Sequence, residues 1–365
     1  MKAIAILIVI AAVVPAVAVI NGCSGSSDPE QPASTGSGNV EKAPFHSPDK
    51  LPPASWRPFA GDSPWNQRIP DKPRIDRRSA QFVKRLLEAG PPNALRVGIA
   101  NTARDFAHAI YFANRSDPVY RFRGGSKIEP YRIDGKRVRL PDGARPAAGA
   151  DHHLAVVFEG QHWGCYGTRI DRKAREIRCQ AGRKVPIDGV GLHAAETSAR
   201  FPSLAGRIRY QEIAAGRISH ALFAASSKIA YTWVYPAGQS RSGQNPRRGY
   251  PPMGARFQLD PRYLTGKRLA TYPPWKRAVL RAIRDYGFYL GDSTHGSLKL
   301  LPIESGTSYT SFGLPDPWVQ YARAHDLPSS HDSRIDRTVY QFDLAGGVDW
   351  RRLRVIDPCL AAKDC

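Results

Sequence analysis

Apolar residues in this chain fall mostly in short runs or at alternating positions between Gly, Pro and Asp. That is the pattern of strands rather than of long helices. It predicts strands near 95–100, 107–113, 118–123, 137–140, 152–158, 162–170, 175–179, 218–225, 229–235, 255–259, 287–291 and 298–304. Four segments switch to helical spacing. Ser79 to Ala89 puts Phe82, Val83, Leu86 and Leu87 on one stripe and stops at Gly90-Pro91. Pro274 to Tyr286 groups Trp275, Val279, Leu280, Ile283 and Tyr286 and stops at Gly287. Asp316-Pro317 is an N-cap followed by proline at the first helical position, opening a helix to about His325. Gln211 to Ala215 is one further turn before Gly216. Strands dominate and do not alternate regularly with helices, so a doubly wound α/β fold is not expected. The expected fold is mainly β, a β-sandwich or jelly-roll-like single domain with a few peripheral helices. No propeller or solenoid period is visible.

The first residues do not belong to that pattern. Lys2 precedes an uncharged apolar run from Ala3 to Ile20, and Ile20-Asn21-Gly22-Cys23 has the form of a bacterial lipobox. Residues 1–22 are therefore expected to be a lipoprotein-type export signal, with Cys23 the lipidation site. An uncleaved anchor and ordinary secretion are the alternatives, and all three place the chain outside the cytoplasm, attached to the membrane or secreted. Residues 23–55 are rich in Ser, Gly and Pro and read as a flexible tether, leaving 56–365 as a β-rich globular domain. With Cys23 assigned to the lipid, four cysteines remain for an oxidising compartment. Proximity pairs Cys165 with Cys179 across a β-hairpin, and Cys359 with Cys365 at the tail.

Composition narrows the partners. Of 365 residues, 42% are hydrophobic, enough for a packed core and too many for a disordered chain. The formal net charge is +21. The tether is net acidic, so the basic excess lies in the domain. It is spread through groups such as Lys72, Arg74, Arg77 and Arg78, then Lys127, Lys136 and Arg137, then Arg169, Arg172 and Lys173, then Arg241, Arg247 and Arg248. Such a surface favours polyuronides, wall polymers or anionic headgroups. Export and the lack of a recognition motif argue against nucleic acid. G-x-G-x-x-G, a P-loop and G-x-S-x-G are all absent from the sequence.

The densest chemical signal is Asp151-His152-His153-Leu154-Ala155-Val156-Val157-Phe158. Strand alternation puts Asp151, His153, Ala155 and Val157 on one face, with room for a groove at the Asp151/His153 end. A bulge of one residue would exchange His152 for His153. His220, between Ile218 and Leu222, has Glu212 upstream and Tyr231-Thr232-Trp233-Val234-Tyr235 downstream, an aromatic floor on which a sugar ring could stack. Asp292 ends an apolar run in a Gly-rich stretch. With Glu159, Glu212 and Glu304 it supplies the carboxylates that glycoside hydrolysis needs in pairs. Each also has a plain structural reading: a strand-start Asp, a core histidine, a turn Asp.

Ser63-Pro64-Trp65-Asn66, Asp151–Val157, Gly216–Leu222, Tyr235-Pro236-Ala237, Gly254–Asp260 and Ala282–Asp292, in this order, resemble a group of secreted actinobacterial proteins of β-sandwich fold. The resemblance covers most of residues 56–305. It implies a single fold and an extracytoplasmic life, and carries over no catalytic residues. The expected function is a surface-tethered carbohydrate-active enzyme, a glycoside hydrolase or polysaccharide lyase. His153 and His220 are the acid/base candidates, and Asp151, Glu212 and Asp292 the orienting or second catalytic groups. Trp163, Trp233 and Tyr235 are the sugar-stacking candidates, with an anionic or neutral polysaccharide as substrate. The alternatives are a non-catalytic wall- or glycan-binding lipoprotein, and a hydrolase with a divalent metal held by Asp151, His153 and His220. The first reading requires no cofactor.

Overall fold

Sixteen strands assemble into four sheets in a computed structural model that describes residues 45–92, 95–238, 249–294, 299–300 and 303–358. All of these belong to one compact unit. The chain is mainly β with few helices, as the alternating pattern requires. The first sheet joins Ala109–Phe112, Leu154–Phe158, Gln161–Tyr166 and Ala181–Pro186 in that spatial order. The second joins Arg137–Arg139, Val119–Gly124, Glu176–Cys179 and Arg169–Asp171. The third has Lys299–Leu300, Leu222–Ala225, Phe288–Asp292, Arg256–Leu259 and Leu353–Ile356, and the fourth Leu95–Val97, Arg337–Phe342 and Ser329–Asp332.

The uniformly apolar run Leu154–Phe158 is explained by burial on both faces. Leu154 and Val156 meet Tyr120, Phe122, Val138 and Ile177 of the second sheet in a separate core cluster. Ala155 and Val157 face the main core, shared with the third sheet and the helices. Cys165 and Cys179 are disulfide-bonded as expected, with Cα atoms 5.6 Å apart. The bond does not close a hairpin, however. Cys165 lies in the first sheet and Cys179 in the second, so it ties the two layers together through their shared core.

Helices Ser79–Leu87, Tyr210–Ala214, Pro274–Asp285 and Pro317–Ala324 lie where the apolar stripes put them. Asp316 accepts a hydrogen bond from the Trp318 amide as its cap. Gly266–Ala270 and Thr307–Thr310 are short additional helices.

Two expectations are corrected. Residues 229–235 do not form a strand: their bonds go to Pro251 and Met253 beside Pro252, and prolines lacking N–H groups cannot carry a regular ladder. The tether also ends earlier than residue 55. Phe45 packs edge-on against Trp56 and Phe112, and Ser47 is buried with its hydroxyl accepting from the Phe112 amide. Among the described residues no helix is long and apolar enough to cross a membrane. The export signal, Cys23, Cys359 and Cys365 lie outside the described residues.

Candidate functional site

The register of the first sheet brings distant histidines together. Ala109 pairs with Leu154 in parallel, so the residues just before them, His108 and His153, are neighbours on one face. Their rings stack with centroids 3.7 Å apart. The next strand runs antiparallel, with Leu154 opposite Cys165 and Val157 opposite His162. Tyr166 is thereby set beside His153, ring to ring at 5.6 Å, and His162 is on the same face deeper in. His152 takes a left-handed φ of 43°, turning the chain so that His153 and not His152 points inward. The alternation that grouped Asp151 with His153 is correct, although the strand itself begins only at Leu154. Asp151 Oδ2 lies 3.8 Å from His153 Nε2 at the partly exposed edge.

Two charges meet this histidine face. His162 donates from Nε2 to Glu196 Oε1 at 2.6 Å, and both side chains are fully buried. The Ser203 amide also donates to Oε1, and the Ala195 amide to Oε2. Gly164 permits this pair, because a Cβ there would collide with Glu196 Oε1. Arg207, only 1% exposed, donates from Nη2 to His108 Nε2 at 3.2 Å and stacks over the Phe223 ring. An arginine cannot accept, so His108 carries its hydrogen on Nδ1. The Nδ1 atoms of His108, His153 and His162, and Arg207 Nε, are buried without a partner among the described residues. Arg207 also borders a cavity of about 10 Å³ with Trp65, Asn66, Arg209 and His220, which is room for a single water.

Burial, reinforced by Arg207, holds His108 well below the ordinary imidazole range and lowers His153 to about 3. Both are neutral at physiological pH. Burial lowers Arg207 to about 9, partly offset by Glu196 and Asp292. Asp292 is raised by burial, with Asp151 adding to the rise and bonds from Ser198 and Ser293 opposing it. Its Oδ1 takes the Ser198 hydroxyl at 2.5 Å and the Ser293 amide at 2.8 Å, and Oδ2 takes the Ser198 amide at 3.2 Å. Asp151 is raised by burial as well, against a smaller opposing effect of His152.

Glu212 and His220 do meet, as their sequence proximity suggested, but in a second, closed network. Glu212 Oε1 accepts from His220 Nε2 at 3.0 Å and from Arg209 Nη2 at 3.1 Å, and Oε2 accepts from the Arg209 amide. His220 Nδ1 faces the Ala221 carbonyl, while Arg209 reaches the carbonyls of Pro52, Pro53 and Trp56. Burial pushes the Glu212 carboxyl up, but His220 and Arg209 outweigh it and hold it low. This network anchors residues 52–56 to the helix Tyr210–Ala214. Asp151, His153 and His220 form no ligand set: among the described residues no three acidic, histidine or cysteine side chains are placed to hold a metal ion.

Of the stacking candidates, Trp163 is corrected to a core residue. It is 8% exposed and lies parallel to Phe122 between the first two sheets. Trp233 is 52% exposed, and Tyr235 is half-buried beside Arg256 and Tyr289. Sequence reasoning missed His108, His162, Glu196 and Arg207. For His108 and His162 the visible signal was a polar residue beside apolar ones, as in Ala107-His108-Ala109-Ile110 and His162-Trp163. No protein-family model matches the chain, and no curated protein or solved structure is detectably similar to it.

Proposed function

We propose that this chain is an extracytoplasmic, surface-tethered enzyme that cleaves polysaccharide, with Asp151 and Asp292 as its acid–base pair. One observation carries the reading: two carboxyl groups within electrostatic reach of each other, both raised by burial. Raised carboxyls are what glycosidic proton transfer needs at neutral pH. Asp292, fixed by three hydrogen bonds, is the general acid. Among the described residues its Oδ2 receives the longest of them, and this is the oxygen proposed to hold the proton. Asp151, at the open edge, is the base that activates water or removes a proton beside a uronate carboxylate. His153, neutral and only weakly basic, positions Asp151 and does not itself exchange protons. Glu212 and His220 hold the fold.

The test is a depolymerisation screen of the full chain on neutral and anionic glycans, reading reducing ends and the ultraviolet absorbance of unsaturated uronides. New reducing ends with that absorbance identify a lyase, and without it a hydrolase. Asp151→Asn and Asp292→Asn should each lower turnover about 100-fold or more, whereas His220→Asn should lower thermal stability first. Retention on an immobilised glycan with no cleavage by the parent chain overturns the enzyme and leaves a binding module.

A further inference from the structure

The outward face of the second sheet is an arginine array. The inward residues Tyr120, Phe122, Val138, Ile177 and Cys179 are buried, so alternation turns Arg121, Arg123, Arg137, Arg139, Arg169 and Arg178 outward. Pairing sets like charges directly opposite one another. Arg121 faces Arg137, and Arg178 lies between Arg123 on one neighbouring strand and Arg169 on the other. Opposed like charges weaken a sheet, and the local acids relieve only part of this. Glu176 takes Arg123 at 2.6 Å and Arg178 at 3.6 Å. Asp171 caps its own turn through the Ala174 amide. No carboxylate lies within ion-pair distance of Arg121, Arg137 or Arg169 among the described residues.

The array also runs towards the candidate catalytic pair. Arg169 opens the edge strand Arg169–Asp171 immediately after Gly167 and Thr168. The amides of those two residues donate to the carbonyls of Asp151 and His152 at 2.8 and 3.2 Å. A polymer lying on the row Arg123–Arg178–Arg169 therefore leaves the sheet at the turn that carries Asp151.

We propose that this sheet face is a binding surface for a carboxylate-bearing polysaccharide, whose uronate groups neutralise the opposed arginines and whose chain is delivered to Asp151. The proposal deepens the enzyme reading by naming its substrate class, and rests on that reading for the delivery step. Guanidinium groups suit carboxylates because they donate two parallel hydrogen bonds. An exposed sheet face admits a polymer of any length, which a closed pocket would not.

The test is retention of the full chain on immobilised polygalacturonate, with neutral dextran and duplex DNA as comparison matrices. The triple variant Arg121→Glu, Arg169→Glu, Arg178→Glu should bind polygalacturonate about tenfold or more weakly, and binding by the parent should fade as salt rises. A second triple, Lys84→Glu, Lys267→Glu, Arg268→Glu, changes net charge equally at exposed sites on other elements and should stay within about twofold of the parent. The neutral triple Arg121→Gln, Arg169→Gln, Arg178→Gln, checked for a melting temperature no lower than the parent's, separates loss of the site from loss of the fold. Equal weakening by both glutamate triples overturns the proposal, as does unchanged binding by the array variant. Equal retention of the parent on DNA overturns the glycan assignment. Asp151→Asn should bind as the parent does. If it also cleaves as the parent does, the role of Asp151 and the delivery step fail while the binding surface stands.

Discussion

Replacing Glu304 with Gln should stabilise the protein above neutral pH and do little in acid. Glu304 is 3% exposed, and its Oε2 accepts from the Tyr309 hydroxyl at 3.2 Å. Burial raises its carboxyl from 4.5 to about 7, with Glu212 adding to the rise and Arg209 opposing it. A raised carboxyl means that the folded state holds the proton more tightly than the unfolded chain. The associated stability is complete below about pH 4.5, declines as pH rises, and is gone above about pH 7. A rise of about 2.5 pK units corresponds to about 3 kcal/mol at most. The amide cannot ionise and can still accept from Tyr309. At pH 8 the variant should therefore be more stable by up to that amount, about 6 °C in melting temperature for a chain of this size. At pH 4.5 the two proteins should nearly coincide. The assay is paired thermal and urea unfolding from pH 4.5 to 8. Other titrating groups are common to both proteins and cancel in the difference. A pH-independent difference, or a variant less stable at pH 8 than its parent, would refute the reasoning.

Two further outcomes follow from the same physics. Cys165→Ser with Cys179→Ser should cost about 3 kcal/mol, the loop-closure value for a bridge spanning 14 positions; urea unfolding measures it, and dithiothreitol should reproduce the loss in the parent. His153→Gln should make the protein less acid-labile. With the folded pKa depressed to about 3, stability present above pH 6.5 is lost at about 1.4 kcal/mol per pH unit as pH falls towards 3. The variant's unfolding curves between pH 6 and 4 should lack that slope, and an unchanged slope would count against a buried neutral imidazole.

The parts of the fold legible in the sequence are those whose signal is local. Phe82, Val83 and Leu86 mark one helix on their own, and Asp316-Pro317 marks the start of another, because stripe and cap are built within a few residues. Strand Ala181–Pro186 was illegible: Ala-Gly-Arg-Lys-Val-Pro has no apolar alternation and is held by pairing with Gln161–Tyr166. Residues 229–235 failed in the opposite way. Their β-branched and aromatic content suits a strand, but the available partner contains Pro251 and Pro252. The site divides along the same line. Glu212 and His220 meet across eight residues, a local event. His108 and His153 meet only because Ala109 and Leu154 happen to be in register in a parallel pair 45 residues apart, which no spacing rule reports.

Arg207 was the hardest residue to foresee, and it changes the chemistry most. In Gly206-Arg207-Ile208-Arg209 it reads as one more surface cation, yet it lies at the centre of the histidine face. A buried guanidinium such as this, with no direct carboxylate partner among the described residues, is costly. Here the cost is moderated by the Phe223 face, by one histidine nitrogen, and by Glu196 and Asp292 at longer range. Its charge is also what keeps His108 and His153 unprotonated, beyond the effect of burial alone. A histidine held near 3 cannot be a useful base at neutral pH, so the proposal gives the proton work suggested for His153 by its motif to carboxyls instead. Those carboxyls, Asp151 and Asp292, are raised by burial. The same interior that disables the histidine thus raises two acids at its rim, the pair on which the proposed chemistry rests.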